Sequence, residues 1–92
     1  MANKTVLITG SSGFIGFHLA KYLISKNFNI IGVDSINSYY SPKLKKKRLS
    51  ILKIKKKFNF EKLNLNNKKK LEQLFIKYRP SIVIHLAGQP GV

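Results

Sequence analysis

The sequence predicts an α/β protein in which helices cover a parallel β-sheet, and three observations support this prediction. Short apolar runs alternate along the chain with segments whose apolar residues recur at helical spacing. The first apolar run is followed by glycines three residues apart, and the second ends on an acid, Asp34. Alternating strands and helices are typical of parallel sheets with right-handed crossovers. We therefore expect a βαβαβαβ chain with strand order 3-2-1-4.

The four predicted strands are apolar or β-branched runs bounded by turn residues. They cover residues 4–9, 29–34, 58–63 and 81–86. The second and fourth are apolar almost throughout, as expected of strands covered on both faces, whereas the third alternates imperfectly and is shorter. Together with the helices between them, they predict the N-terminal half of a Rossmann-type doubly wound sheet. We interpret residues 1–92 as a partial cofactor-binding domain of this type.

The first predicted helix runs from Phe14 to about Lys26 and is followed by a turn. Its apolar stripe at helical spacing consists of Ile15, Leu19, Ala20, Leu23 and Ile24. This stripe is expected to face the sheet.

The second and third predicted helices are defined by their ends. Ser41 and Pro42 suit the N-cap and the first helical position of the second helix, which is expected to run to about Lys56. Its predicted apolar side consists of Leu44, Ile51 and Leu52. The third helix is expected to stop before Arg79 and Pro80, because a residue that precedes proline disfavours the helical conformation.

The glycines after the first strand predict a phosphate-binding turn. Gly10 permits the tight turn, Gly13 lets a pyrophosphate approach the backbone, and Gly16 lets the helix pack closely on the strand. The spacing G-x-x-G-x-x-G is one residue longer in its first gap than the common dinucleotide fingerprint. A phosphate is favoured at the helix start, where amide N–H groups lack partners and the helix dipole is positive.

Asp34 is the acid of the predicted dinucleotide-binding pattern that begins with these glycines. It lies 18 residues after Gly16. A separation of about 20 residues is expected for the acid that binds an adenosine ribose. A carboxylate there repels a 2′-phosphate, and the following Ser35 and Ile36 supply no cation, so NAD is expected to bind in preference to NADP. The alternative interpretation makes Asp34 and the glycines ordinary turn residues. The ordered succession of strand, glycines, helix, strand and acid favours the cofactor site.

The chain is strongly basic, with 18 Lys and Arg residues against three acids and a formal net charge of +15. The lysines cluster at 43–48, 53–57 and 68–70. A basic nucleic-acid-binding module is therefore an alternative function. Arginine is scarce, however, and no aromatic-rich strand offers a stacking platform. We interpret the lysines as a solvated face and expect no specific nucleic-acid partner.

Several other classes of site are not expected. Cysteine is absent, and His18 and His85 are far apart with no partners at metal-ligand spacing, so no metal site is predicted. His85 is expected to play a structural role in the fourth strand. No apolar run approaches about 18 residues, so we expect no membrane contact and a cytoplasmic location.

With these residues assembled, the chain resembles the N-terminal part of the NAD-dependent sugar-nucleotide epimerase/dehydratase family of extended short-chain dehydrogenase/reductases. The resemblance is carried by Thr9 to Gly16, by Asp34 and by Val83 to Gly88. Within the family, residues 34–44 and 89–92 look most like UDP-glucuronate 4-epimerases. UDP-glucose 4-epimerases and dTDP-glucose 4,6-dehydratases are the alternatives.

The resemblance implies NAD as cofactor and, for a complete protein, a nucleotide-sugar substrate and a homodimer. The implied cofactor-binding residues are Gly10, Gly13, Phe14, Ile15, Gly16, Asp34, Ser35, Asn37, Asn64, Leu65, Leu86, Ala87 and Gly88. The resemblance places the pyrophosphate on the amides of the helix start, the ribose on Asp34, the adenine beside Asn64, and the nicotinamide path beside Leu86. Asn64 stands where the family commonly has aspartate, and Ser35 stands where asparagine is usual.

No catalytic residue is predicted in the chain, because the Ser/Thr and the Tyr-x-x-x-Lys pair of the family are not found in it. Tyr39 and Lys43 have the spacing but follow the second strand near the adenosine end, and Ser11 and Ser12 are interpreted as turn residues. We expect an NAD-binding part of an epimerase that is inactive alone. A nonfunctional truncated product is a further alternative.

Overall fold

The computed structural model describes residues 4–35 and 42–86, and there strands and helices alternate as predicted. The elements are β1 (Thr5–Thr9), α1 (Phe14–Ser25), β2 (Asn29–Asp34), α2 (Pro42–Lys53), β3 (Phe58–Lys62), α3 (Lys68–Tyr78) and β4 (Ile82–His85). The sheet has the order β3-β2-β1-β4, which confirms the predicted topology. Most elements are one to three residues shorter than predicted, and β2 has the predicted bounds.

All strand pairs are parallel, and their register brings the carboxyl ends to one edge of the sheet. Thr9, the last residue of β1, is paired with Val33 on one side and with His85 on the other. Asp34 at the end of β2 is paired with Lys62 of β3. Ligands of such sheets bind at this edge, where the direction of strand order reverses.

The two faces of the sheet carry separate apolar clusters, because successive side chains of a strand point to opposite faces. One cluster joins the sheet to α1 and α2 and consists of Val6, Ile8, Phe17, Ala20, Ile30, Leu49, Leu52 and Phe58. The other joins the sheet to α3 and consists of Leu7, Ile31, Val33, Leu63 and Leu74. Helices therefore lie on both faces, as expected for a doubly wound sheet.

The prediction that the apolar stripe of α1 faces the sheet is partly wrong. The buried residues of this helix are Gly16, Phe17 and Ala20. Ile15 is 66% exposed, whereas Leu19, Leu23 and Ile24 pack only partly against the core. The close contact of Gly16 with the backbone of the turn fixes which side of α1 faces the sheet, and Ile15 lies outside that side.

The predicted apolar side of α2 also needs correction. Leu49 and Leu52 are buried, while Leu44 and Ile51 are exposed. Lys45 is buried although it was expected on a solvated face. Because residues 45, 49 and 52 follow one another at i, i+4 and i+7, they share the side of α2 that faces the rest of the protein.

β4 lies at the edge of the sheet in the part of the chain that the structure describes, and it pairs there with β1. Ile82 and Val83 are exposed by 40% and 46%, whereas Ile84 is half-buried and packs against the cluster under α1 and α2. The expectation that the fourth strand is covered on both faces is therefore not met among residues 4–35 and 42–86.

Candidate cofactor-binding site

The turn between β1 and α1 has the geometry predicted from its glycines. Gly10 has a φ of 75°, a conformation that glycine adopts without a Cβ penalty. Its N–H donates to the carbonyl of Val33 at 2.7 Å, and the N–H of Gly13 donates to the carbonyl of Gly10 at 3.0 Å. The turn is therefore tied both to itself and to β2.

Gly16 brings the first turn of α1 against this loop. A Cβ at Gly16 would lie 2.2 Å from the carbonyl oxygen of Gly10 and 3.0 Å from the Cα of Ser11. Both contacts are with backbone atoms, so neither can be relieved by a side-chain rotation. Gly16 therefore permits a close approach of α1, as predicted, but the approach is to the turn that follows β1 and not to the strand itself.

The start of α1 has the properties of an anion-binding helix end. Gly13 is the N-cap and makes no side-chain capping hydrogen bond, and the first turn contains no acid. Phe14 and Ile15 are the first two helical residues and both side chains are exposed. Amide groups at this position have no intrahelical acceptor, and the helix dipole makes them favourable partners for a phosphate. The glycine loop and the uncapped helix start thus fit a pyrophosphate.

Ser11 and Ser12 are fully buried in the loop, and neither hydroxyl oxygen has a hydrogen-bond partner among residues 4–35 and 42–86. Buried hydroxyls are usually paired, so these two are an unusual feature of the turn. They are turn residues, as predicted. Ser11 Oγ lies against β2, where a Cβ at Gly32 would come within 2.6 Å of it.

Asp34 is held between the glycine loop and α2. Its Oδ2 accepts a hydrogen bond from the Ser12 amide at 3.1 Å, and its Oδ1 is 3.2 Å from Lys45 Nζ. The side chains of Lys45 and Asp34 are only 10% and 3% exposed. The carboxylate predicted to bind the ribose therefore lies beside the turn at residues 10–13, in a buried ion pair.

Sequence reasoning missed the cations that α2 brings to this site. It considered only Ser35 and Ile36 beside Asp34, whereas Lys45 and Arg48 reach the site from α2. Arg48 Nη1 donates to the carbonyl of Ser12 at 3.2 Å, and its guanidinium carbon lies 5.8 Å from the centre of the Phe14 ring. Helical spacing places residues 45, 48 and 49 on one side of α2, but it does not indicate that this side faces Asp34.

At the other end of the site, β1 and β4 are joined by side-chain as well as backbone hydrogen bonds. The Leu86 amide donates to the carbonyl of Thr9 at 3.1 Å and to Thr9 Oγ1 at 3.0 Å. His85 Nδ1 lies 2.8 Å from the same hydroxyl oxygen. The structural role predicted for His85 is confirmed, and Leu86 is fixed at the carboxyl end of β4.

The residues predicted near the adenine lie after β3 and already have partners of their own. Asn64 is exposed, and its Oδ1 accepts a hydrogen bond from the Asn66 amide at 2.9 Å. Leu65 is half-buried and packs against the α3 cluster. Ser35, which is predicted beside the ribose, follows Asp34 directly at the end of β2 and is half-buried. Their roles toward a cofactor stay predictions.

Three of the predicted cofactor residues, Asn37, Ala87 and Gly88, lie outside the described residues, as do Tyr39 and the predicted N-cap Ser41. Within the described ranges no group of three or more potential ligands could hold a metal ion. None of the helices there is long and apolar enough to span a bilayer. His18, for which no partner was predicted, makes edge contacts with Phe14 and Phe17 at 4.8 and 5.1 Å between ring centres.

Comparison with known proteins agrees with this geometry. The family model described as GDP-mannose 4,6 dehydratase matches residues 7–92. Protein CapI of Staphylococcus aureus is 49% identical over 87 residues, which cover 95% of this chain and 26% of that protein. A UDP-glucuronate 4-epimerase of Thermodesulfobacterium geofontis is 38% identical over 86 residues, which cover 94% of this chain and 27% of the enzyme.

Among solved structures, a similar fold is that of the UDP-glucuronic acid 4-epimerase from Bacillus cereus in complex with UDP-glucuronic acid and NAD. It has a TM-score of 0.84 and 30% sequence identity, over 96% of this chain and 27% of that one. The chain therefore spans about a quarter of the length of the proteins it matches. On the match to the family model, the chain belongs to the GDP-mannose 4,6 dehydratase family of NAD-dependent epimerases and dehydratases.

Proposed function

We propose that this chain is the NAD-binding part of a sugar-nucleotide epimerase that acts on UDP-glucuronate. The observation that carries the proposal is the 3.1 Å hydrogen bond from the Ser12 amide to Asp34 Oδ2, which joins the turn proposed to bind phosphate to the carboxylate proposed to bind the ribose. The similarity to UDP-glucuronate 4-epimerases supports the choice of cofactor and substrate.

The phosphate loop would hold the pyrophosphate of NAD. The amides of Phe14 and Ile15 would donate to phosphate oxygens, since they head α1 without a side-chain cap. Gly10 and Gly13 keep side chains away from that space, and the contact between Gly16 and Gly10 fixes the distance between helix and loop.

The remaining residues would orient the two ends of the cofactor. Asp34 would accept hydrogen bonds from the adenosine ribose, because an ionised carboxylate offers about four acceptor positions. The proposed flanking residues are Ser35 and Asn37 at the ribose, Asn64 and Leu65 at the adenine, and Leu86, Ala87 and Gly88 toward the nicotinamide. NAD, when bound, would supply the hydride acceptor for oxidation of C4 of the sugar and would return the hydride to the other face.

Calorimetric titration of the purified chain with NAD tests the proposal, with Gly13→Val as the decisive variant. The valine side chain would occupy the space beside the helix start, where a Cβ already comes to 3.3 Å from the carbonyl oxygen of Gly10. We expect NAD affinity to fall by about tenfold or more, equivalent to about one hydrogen bond to a charged group.

Gln73→Ala serves as the control, because Gln73 is exposed on α3. It should leave NAD binding unchanged. Equal NAD affinity in Gly13→Val and the parent chain, with both folded by circular dichroism, would remove the phosphate-loop assignment. Failure of the folded parent chain to bind NAD would refute the proposed function.

A further inference from the structure

We infer that the C-terminal ends of α1 and α2 form a surface that binds anionic lipid bilayers. This basic end surface consists of Tyr22, Lys26, Ile51, Lys53, Ile54 and Lys56, all of them exposed. It is separate from the proposed NAD site and goes beyond the proposed function. The expectation of no membrane contact came from the lack of a long apolar run, a criterion that addresses spanning segments and not surface contacts.

The two helices bring these residues to the same end of the molecule. Each helix leaves the carboxyl end of one strand and returns to the amino end of the next parallel strand. Both also pack on the same face of the sheet and contact each other. Lys57 Nζ, after α2, donates to Asn27 Oδ1, after α1, at 3.2 Å. The helix ends are therefore neighbours, at the edge of the sheet opposite the proposed cofactor site.

Apolar side chains of this surface project into solvent. Ile54 is 84% exposed, Tyr22 58% and Ile51 39%. Single exposed apolar residues are ordinary, but three at neighbouring helix ends provide an apolar contact area among lysines. Isoleucine side chains suit insertion at the boundary between head groups and acyl chains, and a tyrosine ring can lie there with its hydroxyl hydrated.

The charge of the two helices is complementary to an anionic surface. Residues 14–28 and 42–57 contain no acid, and all three acids of the chain lie outside these ranges. Lysine is attracted to anionic lipids, and its alkyl stem can lie along apolar surface while the ammonium group reaches the head groups. Cations also stabilise helix C-termini. That effect accounts for Lys26 and Lys53 but not for the exposed Ile54.

A nucleic acid is the other polyanion that these lysines could attract. Binding to nucleic acid without sequence preference uses cations and the stacking of bases on aromatic rings. Neither contribution involves an exposed isoleucine. A bilayer surface uses both the lysines and the aliphatic side chains. The combination on the basic end surface therefore favours an anionic bilayer.

Flotation of the purified chain with lipid vesicles tests the inference. The chain should float with vesicles of phosphatidylcholine and phosphatidylglycerol in equal parts, and not with vesicles of phosphatidylcholine alone. Ile54→Ser keeps the charge and removes the apolar side chain, so it should lower the partition coefficient by about tenfold. Lys56→Gln should lower it by about fivefold, as expected for one lysine at an anionic surface.

Matched controls lie on α3, which packs on the opposite face of the sheet. Ile76→Ser makes the same change at a residue that is 72% exposed. Lys69→Gln removes the same charge from another exposed position. Each control should leave the partition coefficient within about twofold of the parent, because screening confines the attraction to nearby charges. All four substituted positions are exposed, so circular dichroism should show the fold of the parent in every variant.

Four results would overturn the inference. The first is a folded parent chain that does not float with the anionic vesicles. The second is unchanged flotation in both Ile54→Ser and Lys56→Gln. The third is a loss in Ile76→Ser as large as that in Ile54→Ser. The fourth is tighter binding to duplex DNA than to the anionic vesicles, with no change in Ile54→Ser, which would identify a nucleic-acid site instead.

Discussion

Replacement of Gly16 by alanine tests the packing of α1 on the turn at residues 10–13. The new Cβ would lie 2.2 Å from the carbonyl oxygen of Gly10, whereas close C···O contacts are normally about 3.3–3.6 Å. The helix would have to move by about 1 Å, the difference between these distances. Helix propensity acts in the opposite direction, since alanine is favoured over glycine inside a helix by about 1 kcal/mol.

The free-energy cost of the close contact should exceed the free-energy gain in helix propensity. Overpacking costs about 1–3 kcal/mol or more, and here both opposing groups are backbone, so relief requires displacement of a whole element. With a cost at the upper end, about 3 kcal/mol, and a propensity gain of about 1 kcal/mol, we expect a net loss of about 2 kcal/mol in the free energy of unfolding. In a domain of this size that lowers Tm by about 8–16 °C.

Urea and thermal unfolding followed by circular dichroism measure this effect. Gly13→Ala is the graded control, because its Cβ would approach the same carbonyl oxygen only to 3.3 Å. Its loss should stay below about 1 kcal/mol, as for a weakened N-cap. If Gly16→Ala is as stable as the parent, or more stable than Gly13→Ala, the claim that this contact sets the helix position is wrong.

Two further predictions concern α3. Asn67 Oδ1 accepts from the Lys70 amide at 3.2 Å, so Asn67→Ala should lower the free energy of unfolding by about 1 kcal/mol in urea titrations, while Asn67→Asp should retain the cap. Tyr78 donates a 2.6 Å hydrogen bond to Glu61. Burial is the larger cause, and this hydrogen bond the second, that raises the pKa of the phenol above its ordinary 10.0. The folded state therefore holds the proton more tightly, so the stabilisation is complete below about pH 10 and lost as the pH rises above it. The stability difference between the parent and Tyr78→Phe should be about 1 kcal/mol at pH 7 and should shrink in alkali; a difference that grows with pH would contradict this account.

The architecture was predictable from the sequence because its determinants are local. The apolar run of β2 has the predicted bounds, and the positive φ of Gly10 follows from a turn that requires glycine. Once strands and helices alternate, right-handed crossovers restrict the strand order to few choices. The carboxyl ends of the strands, and with them Thr9 and Asp34, then meet at one edge of the sheet.

The tertiary structure alone decided which side of each helix is buried and which charges meet. Ile15 satisfies the helical spacing as well as Phe17 does, but the backbone contact of Gly16 directs Phe17 toward the sheet. Lys45 cannot be distinguished by composition from the exposed lysines around it. Its burial depends on a carboxylate at the end of another element, because the free energy of an ion pair depends on distance and solvent exposure. Neither quantity is encoded by the residues next to Lys45 in the sequence.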